Sequence, residues 1–386
     1  MDTHHSNSKL RRFEDAMKAV YGPFEGLTPE HAATWSPPTN PGAGGHRGRY
    51  LWTDAFGVVN LITLWRETES PVYLELAKRL AQTVHDVLGR TRDGSARLPG
   101  ATDERPLDGG LRIGKLDEAG PDGDGQYHHY LTLWMFALNR LALAAREDRW
   151  NELAVQLAKA IHDRFVVEGM RGGGPSHTVV WKISTDMRRA LVSSKGHLDD
   201  VTGLVVFHLL QATAVAAAQR QGRGRPLAVS DLLLQPQIEQ YEAMVTRERP
   251  LQSSDDPLDL GMSLWISHFE RDAPWSRELA EDGLDIAGRK FVPSAAVGID
   301  KASNRRRRLA FRDFGACLGI KCYCDGDDSG GGGGGDATLV EGADAIVEAW
   351  APFLGEEDDP DLKPITVVMG AAALIPGAFR HGYLDT

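Results

Sequence analysis

The chain has 386 residues, 42% hydrophobic and 25% charged, and 43 basic against 54 acidic residues give a formal net charge of −11. At roughly 150 residues per domain that length suits two or three domains or one large closed fold, with core enough to need no covalent staples. The acidic balance argues against non-specific binding to DNA or anionic lipid, which requires a positive surface field.

Taken in chain order, the N-terminus MDTHHSNSKLRRFEDAMKAV is polar and lacks the apolar core of a secretory signal. Apolar residues recurring at three- and four-residue intervals then predict twelve helices, over 8–20, 51–68, 71–89, 126–146, 149–166, 199–220, 228–246, 258–271, 276–290, 307–321, 338–353 and 363–378. The one convincing alternating stretch is HTVVWKIS (177–184), inside a long loop. No apolar run approaches the ~18–20 residues of a membrane span. Cys317, Cys322 and Cys324 are odd in number and crowded together, so they form no disulfide framework and suit a reducing compartment. A soluble, cytoplasmic chain with neither nucleic-acid nor membrane partners is the expectation.

The helices are of two alternating kinds. Segments such as YLWTDAFGVVNLITLW, VTGLVVFHLLQATAVAAA and ITVVMGAAALIPGAF carry few charges and read as enclosed, whereas PVYLELAKRLAQTVHDVLGR and NELAVQLAKAIHDRF carry a charged stripe that faces water. This alternation predicts an all-α fold of one domain spanning 1–386, an (α/α)6 toroid with two concentric rings and the first helix as outer partner of the last inner one. A weak repeat of about 60 residues, longer than that of open solenoids, supports ring closure. It places Asp shortly before Gly near the start of inner helices: Asp54–Gly57, Asp200–Gly203, Asp259–Gly261 and Asp313–Gly315, with Asp124 before Gly125. The plainer reading of these aspartates is that they cap helix N-termini. Outside this order lie a Gly-rich insert (325–336) without packing content and RRRR (305–308), read as a solvated loop rather than a polyanion patch.

The alternating helices, with WTDAFG leading into the second and DGDGQYHHY into the fourth, resemble the six-hairpin glycosidase-like superfamily. At motif level the likeness is confined to about 46–57, 109–130 and 181–203. It implies an (α/α)6 toroid whose cleft is built from loops at one end of the barrel and from the ends of inner helices. The superfamily includes glycoside hydrolases and unsaturated-uronyl hydrolases, and N-acylglucosamine 2-epimerases have a closely similar barrel.

The densest polar loops lead into inner helices, at 34–54, 109–130 and 181–200. Glycosidic cleavage needs two carboxyl groups, one protonating the leaving oxygen and one activating water or attacking. Asp124, among aromatic and imidazole neighbours, is the first choice for general acid, with Asp200 as partner and Asp54 as substitute. Trp52, Tyr127 and Trp181 offer stacking faces for a sugar ring, and Gln126 and Asp186 are further substrate-binding candidates. Arg112, Lys115 and Lys182 can bind hydroxyls or a carboxylate, which suggests an acidic sugar.

Sugar epimerisation is the alternative enzymatic reading. It needs bases on opposite faces of one carbon, for which His129 and His197 qualify. His128 and His129 are about 100° apart on a helix, so at most one points inward. His208 and His268, deeper in their helices, read as core. A non-catalytic carbohydrate-binding or interaction scaffold is the third reading, and a terpene-cyclase-type cavity is disfavoured by the cations. No metal or cofactor is expected: Cys322 and Cys324, with Asp325, Asp327 and Asp328 nearby, lack a partner pair, DGDGQ lacks the rest of a calcium loop, and neither Gly run is a phosphate loop. Hydrolysis therefore comes first, ahead of epimerisation and of a scaffold.

Overall fold

The structure, a computed structural model, describes residues 2–120, 122–171, 174–220, 233–299, 308–324, 337–354 and 362–385. In chain order its helices are α1 (Asp2–Tyr21), α2 (Pro29–Ala33), α3 (Leu51–Thr68), α4 (Pro71–Leu88), α5 (His128–Ala145), α6 (Asp148–Phe165), α7 (Asp199–Arg220), α8 (Gln235–Arg247), α9 (Pro257–Ser267), α10 (Pro274–Ile286), α11 (Val292–Gly298), α12 (Ala310–Cys324), α13 (Ala337–Trp350) and α14 (Leu362–Leu374). Four short strands accompany them: β1 (Gln126–Tyr127), β2 (Val166–Arg171), β3 (Gly174–Val179) and β4 (Lys182–Ile183). With 64% helix, the protein is all-α. All twelve expected helices are present, while the short α2 and α11 are additional. The Gly-rich insert, residues 305–307 of the arginine run and Asp325, Asp327 and Asp328 lie outside the described residues.

Burial follows the two kinds of helix. In α3 every side chain from Leu51 to Leu64 is buried, and in α12 and α14 nearly every one is. In α4 only Tyr73, Leu76, Ala77, Leu80, Ala81, Val84, His85 and Leu88 are buried, a stripe at helical spacing. Each fully buried leucine there is worth about 1.5–3 kcal/mol relative to exposure. α7 departs from the pattern. Its first turns from Asp199 to Phe207 are buried and most of the remainder is half-exposed. An 18-residue window of this 22-residue helix has a mean hydropathy of 1.8, so by length and composition α7 could cross a membrane, which corrects the expectation that no apolar run approaches that length; 56% of that window is buried within the protein.

The chain divides into two compact units, one of residues 26–65 and 70–248, the other of residues 1–25, 66–69 and 249–386. In the first, α5 packs between α6 and α7, and α8 lies on α7. β2 and β3 form an antiparallel hairpin, and β1 pairs with β4 through Gln126 opposite Ile183 and Tyr127 opposite Lys182. The alternating stretch 177–184 thus contributes to two separate ladders, with a break at Val180–Trp181.

In the second unit, α12 packs against α9, α13 and α14, and α1 lies on α14 as the outer partner of the last buried helix. α9 and α12 meet backbone to backbone. A Cβ on Gly261 would sit 2.0 Å from the Gly315 carbonyl oxygen, and one on Gly319 would sit 2.0 Å from the Gly261 carbonyl oxygen. Only glycine allows that approach, so its helix-propensity cost of about 1 kcal/mol is offset by packing.

Candidate functional site

The three polar loops converge within the unit of residues 26–65 and 70–248. His46 and Leu51 donate backbone bonds to the Gly114 and Ile113 carbonyls, tying loop 34–50 to loop 109–115. Gly45 fits there because a Cβ would meet the Gly114 oxygen at 2.4 Å, and its φ of 66° suits glycine. The β1–β4 ladder and a bond from His128 N–H to the Trp181 carbonyl then join loop 109–127 to loop 181–198. Gln126 is fully buried and pins this junction. Its Oε1 accepts from Leu111 N–H, and its Nε2 donates to the Gly109 and Thr185 carbonyls. That work leaves Gln126 as a positioning residue rather than one that faces a ligand.

The aspartates singled out from the sequence are buried and held by cations. Asp124 Oδ2 accepts from Arg112 at 2.6 Å and Arg92 at 2.9 Å, while Oδ1 accepts from the Gly114 and Gly125 amides at 3.0 and 3.1 Å. Both oxygens are therefore engaged. Arg112 is itself buried and donates to the Arg90 and Val87 carbonyls, so it belongs to the same internal clamp and not to a ligand face. Asp54 accepts from Arg49 at 3.0 Å, with both side chains at 1% exposure or less. Asp200 pairs with Lys195 at 2.9 Å, and Lys195 also binds Glu248. Burial outweighs Lys195 at Asp200 and raises its pKa above the usual carboxylate value.

These pairs share a spacing. Arg49 stands five residues before Asp54, Lys195 five before Asp200 and Arg308 five before Asp313, the last pair closing at 2.6 Å. A cation five residues ahead of the aspartate is thus a recurrent clasp at the start of α3, α7 and α12. It is legible in the sequence once Asp is read together with what precedes it, and it marks these carboxylates as structural.

The imidazoles are arranged differently. His128 is fully buried, its Nε2 2.8 Å from the Tyr241 hydroxyl and its Nδ1 3.4 Å from Asp199 Oδ1. His129 is 38% exposed in its side chain, and its Nδ1 is 3.6 Å from the same oxygen. His128 thus enters the core against Tyr241 and His129 faces outward, with Asp199 near both rings. Burial raises the Asp199 pKa, but the two imidazoles more than offset it and hold the group well below the ordinary carboxylate value. Its Oδ2 has no hydrogen-bond partner among the described residues. Gly196 backs that oxygen so closely that a Cβ would lie 2.0 Å from it.

Aromatic rings frame His129. Trp52, Tyr127 and Tyr130 stand 6.1, 5.7 and 4.9 Å from it by ring centroid, and Trp181 meets Tyr127 edge-on at 5.2 Å. The Tyr50 and Tyr130 hydroxyls are hydrogen-bonded at 2.6 Å. Lys115 lies 5.8 Å over Tyr50 and Lys182 5.2 Å over Tyr127. Burial lowers the Lys182 pKa and raises that of the Tyr127 phenol to about 12. Trp181 is half-exposed, with Nε1 donating to Ser194. Asp186 accepts from Ser184 and the Arg188 amide and so shapes its own turn. His197 is exposed on the loop before α7.

Trp52, Tyr127, His129, Trp181, Lys115 and Lys182 therefore come from three distant stretches of chain into one neighbourhood, in which Trp52, Tyr127 and Lys182 are buried and His129, Trp181 and Lys115 are half-exposed. Asp199 is the residue that sequence reasoning passes over. The clasp rule assigns the adjacent Asp200 to Lys195, and the angular offset of successive helical residues then turns Asp199 elsewhere. Among the described residues, no group of three or more His, Cys, Asp or Glu is placed to hold a metal ion. No protein-family model, curated protein or solved structure matches the chain.

Proposed function

We propose that the chain is an enzyme acting on a carbohydrate, with His129 as the proton-transfer group and Asp199 orienting it. The observation that carries this is a buried carboxylate beside the one partly exposed imidazole in a ring of aromatic side chains. An imidazole suits proton abstraction near pH 7, and a carboxylate 3.6 Å from its Nδ1 favours the tautomer that leaves Nε2 to accept a proton once substrate closes that contact. Removal of a proton next to a sugar carbonyl and its return to the adjacent carbon, an aldose–ketose isomerisation, needs one base of this kind, whereas epimerisation would need a second base on the opposite face. The half-exposed Trp181 supplies an apolar face for a pyranose ring and the half-exposed Lys115 a donor for its hydroxyls or for a carboxylate, while Trp52, Tyr127 and Lys182 are buried behind them. The six-hairpin resemblance supports a sugar-processing role through the same loops.

This places imidazole chemistry ahead of hydrolysis by paired aspartates. Asp124 has no oxygen left for a substrate, and Asp54 and Asp200 are each neutralised by a cation. The test is incubation in D2O with neutral and uronic aldoses, ketoses and 2-acetamido sugars, followed by proton NMR. Loss of the C2 proton signal from one of these sugars, reduced by about 10²–10⁴-fold in His129→Ala, is the expected result. Cleavage of disaccharides that survives His129→Ala would return the reading to hydrolysis. Neither exchange nor cleavage with any sugar would favour a binding scaffold.

A further inference from the structure

We propose that the paired hydroxyls of Tyr50 and Tyr130 are catalytic, carrying a proton between the two oxygens of an aldose while His129 carries one between its carbons. This rests on the isomerase reading above. Converting an aldose to a ketose moves one hydrogen from C2 to C1 and another from O2 to O1. His129 serves the first transfer, and the second needs a donor and an acceptor side by side at the oxygens. Tyr50 stands just before α3 and Tyr130 in the first turn of α5, 80 residues away, yet their oxygens are 2.6 Å apart. Both residues are half-exposed, unlike the buried Trp52 and Tyr127 whose rings lie 5.1 and 5.2 Å from Tyr130. The Tyr130 ring is 4.9 Å from that of His129, so one bound sugar can reach both the imidazole and the hydroxyl pair.

A count of hydrogens gives the pair its function. Two hydroxyls carry two hydrogens, and the bond between them uses one. Whichever way that bond runs, the second hydrogen has no acceptor among the described residues, and the hydroxyl that donates keeps an oxygen free to accept. The pair thus presents a donor and an acceptor one hydrogen-bond length apart, which matches O1 and O2 on the adjacent carbons of a cis-enediol. His129 Nε2 takes the C2 proton, the C–H electron pair becomes the C1–C2 double bond, and the carbonyl pair moves onto O1. O1 then takes a hydrogen from one tyrosine, that tyrosine takes one from its neighbour, and the neighbour takes the hydrogen of O2. The O2 electron pair forms the new carbonyl as C1 recovers the proton from His129. Both tyrosines end intact, with their shared bond reversed in direction. A hydroxyl that accepts from another is the stronger donor, and Lys115, 5.8 Å over the Tyr50 ring, favours the negative charge that passes through the pair. Loss of water around Tyr130, and then the Tyr50 hydroxyl, raise its pKa well above the ordinary phenol value, so its hydrogen is in place at rest.

The test incubates the full chain in D2O with glucose, mannose, xylose and glucuronate, and proton NMR follows two signals: deuterium at C2 of the recovered aldose, and ketose formed. Carbon exchange needs only the base, whereas ketose formation also needs the transfer between oxygens. Tyr50→Phe and Tyr130→Phe each remove one oxygen and keep the ring. Each should lower the ketose formed per C2 deuterium exchanged by about tenfold or more, with a melting temperature close to that of the wild type. His129→Ala should lose both signals. If one tyrosine variant does not fold, the other decides. The proposal is overturned if the ratio stays at the wild-type value, if both signals fall in proportion as a merely loosened site would give, or if the wild type exchanges C2 without making ketose. A wild-type chain that does neither defeats the isomerase reading and this proposal with it, whereas an active wild type with unchanged ratios in the variants defeats this proposal alone.

Discussion

Replacing Asp124 by Ala separates the two roles open to this residue. Its carboxylate accepts four hydrogen bonds, two from Arg112 and Arg92 and two from the Gly114 and Gly125 amides. Arg112, 1% exposed, has no route to water when its carboxylate is removed. Breaking such a buried pair from one side costs about 3–5 kcal/mol, because the remaining charge stays buried without its counterpart. At an m-value of about 3 kcal/mol per M, the urea midpoint should fall by about 1–1.7 M, read by circular dichroism. The double variant Asp124→Leu with Arg112→Met, which removes both charges, should recover most of that loss. A midpoint shift below about 0.3 M for Asp124→Ala, accompanied by lost activity, would refute the clamp and return Asp124 to the role of reacting acid.

Three further outcomes follow from particular contacts. Gly196→Ala pushes a methyl group into Asp199 Oδ2 and should reduce the exchange activity at least tenfold with little change in melting temperature; wild-type turnover would show that Asp199 does not position His129. Gly261→Ala forces α9 away from α12 and should destabilise the fold by about 3 kcal/mol or more, whereas a change under about 1 kcal/mol in urea unfolding would contradict the backbone contact. His85 accepts from Trp134 Nε1 in the core, and burial pushes its pKa down to about 3. Its unfolded form protonates near pH 6.5, so the stability it contributes is complete above that pH. That contribution declines by up to about 1.4 kcal/mol per pH unit as the pH falls toward 3. His85→Gln should flatten that part of the stability curve, and an unaltered slope would show that His85 does not govern it.

The helices were legible because their signal is periodic and local. The stripe Tyr73–Leu76–Leu80–Val84 fixes the buried face of α4 without reference to any neighbour, and the unbroken apolar run of α3 requires enclosure. The β2–β3 hairpin was not legible, since Val166–Arg171 contains Gly169 and follows a helix without punctuation, so it reads as helix end and loop. The convergence of the three loops was readable in outline from their polarity and length. Which carboxylate faces a ligand was not, because burial by distant partners decides that. Asp199 and Asp200 are adjacent and chemically identical, yet Lys195 neutralises one and two imidazoles approach the other. The Arg112–Asp124 pair is twelve residues apart, a separation that no helical or strand period marks.

The clasp of a cation and an aspartate five positions later has a consequence for how the chain folds. Each closes within six consecutive residues, so forming one brings together no remote stretch of chain and incurs little loop-closure entropy. The lock at the start of α3 shares no residue with those at α7 and α12. Distant chain then finishes two of them, since Lys195 also binds Glu248 and Asp313 also accepts from Trp350 Nε1, so the local pair forms first and the tertiary contacts secure it.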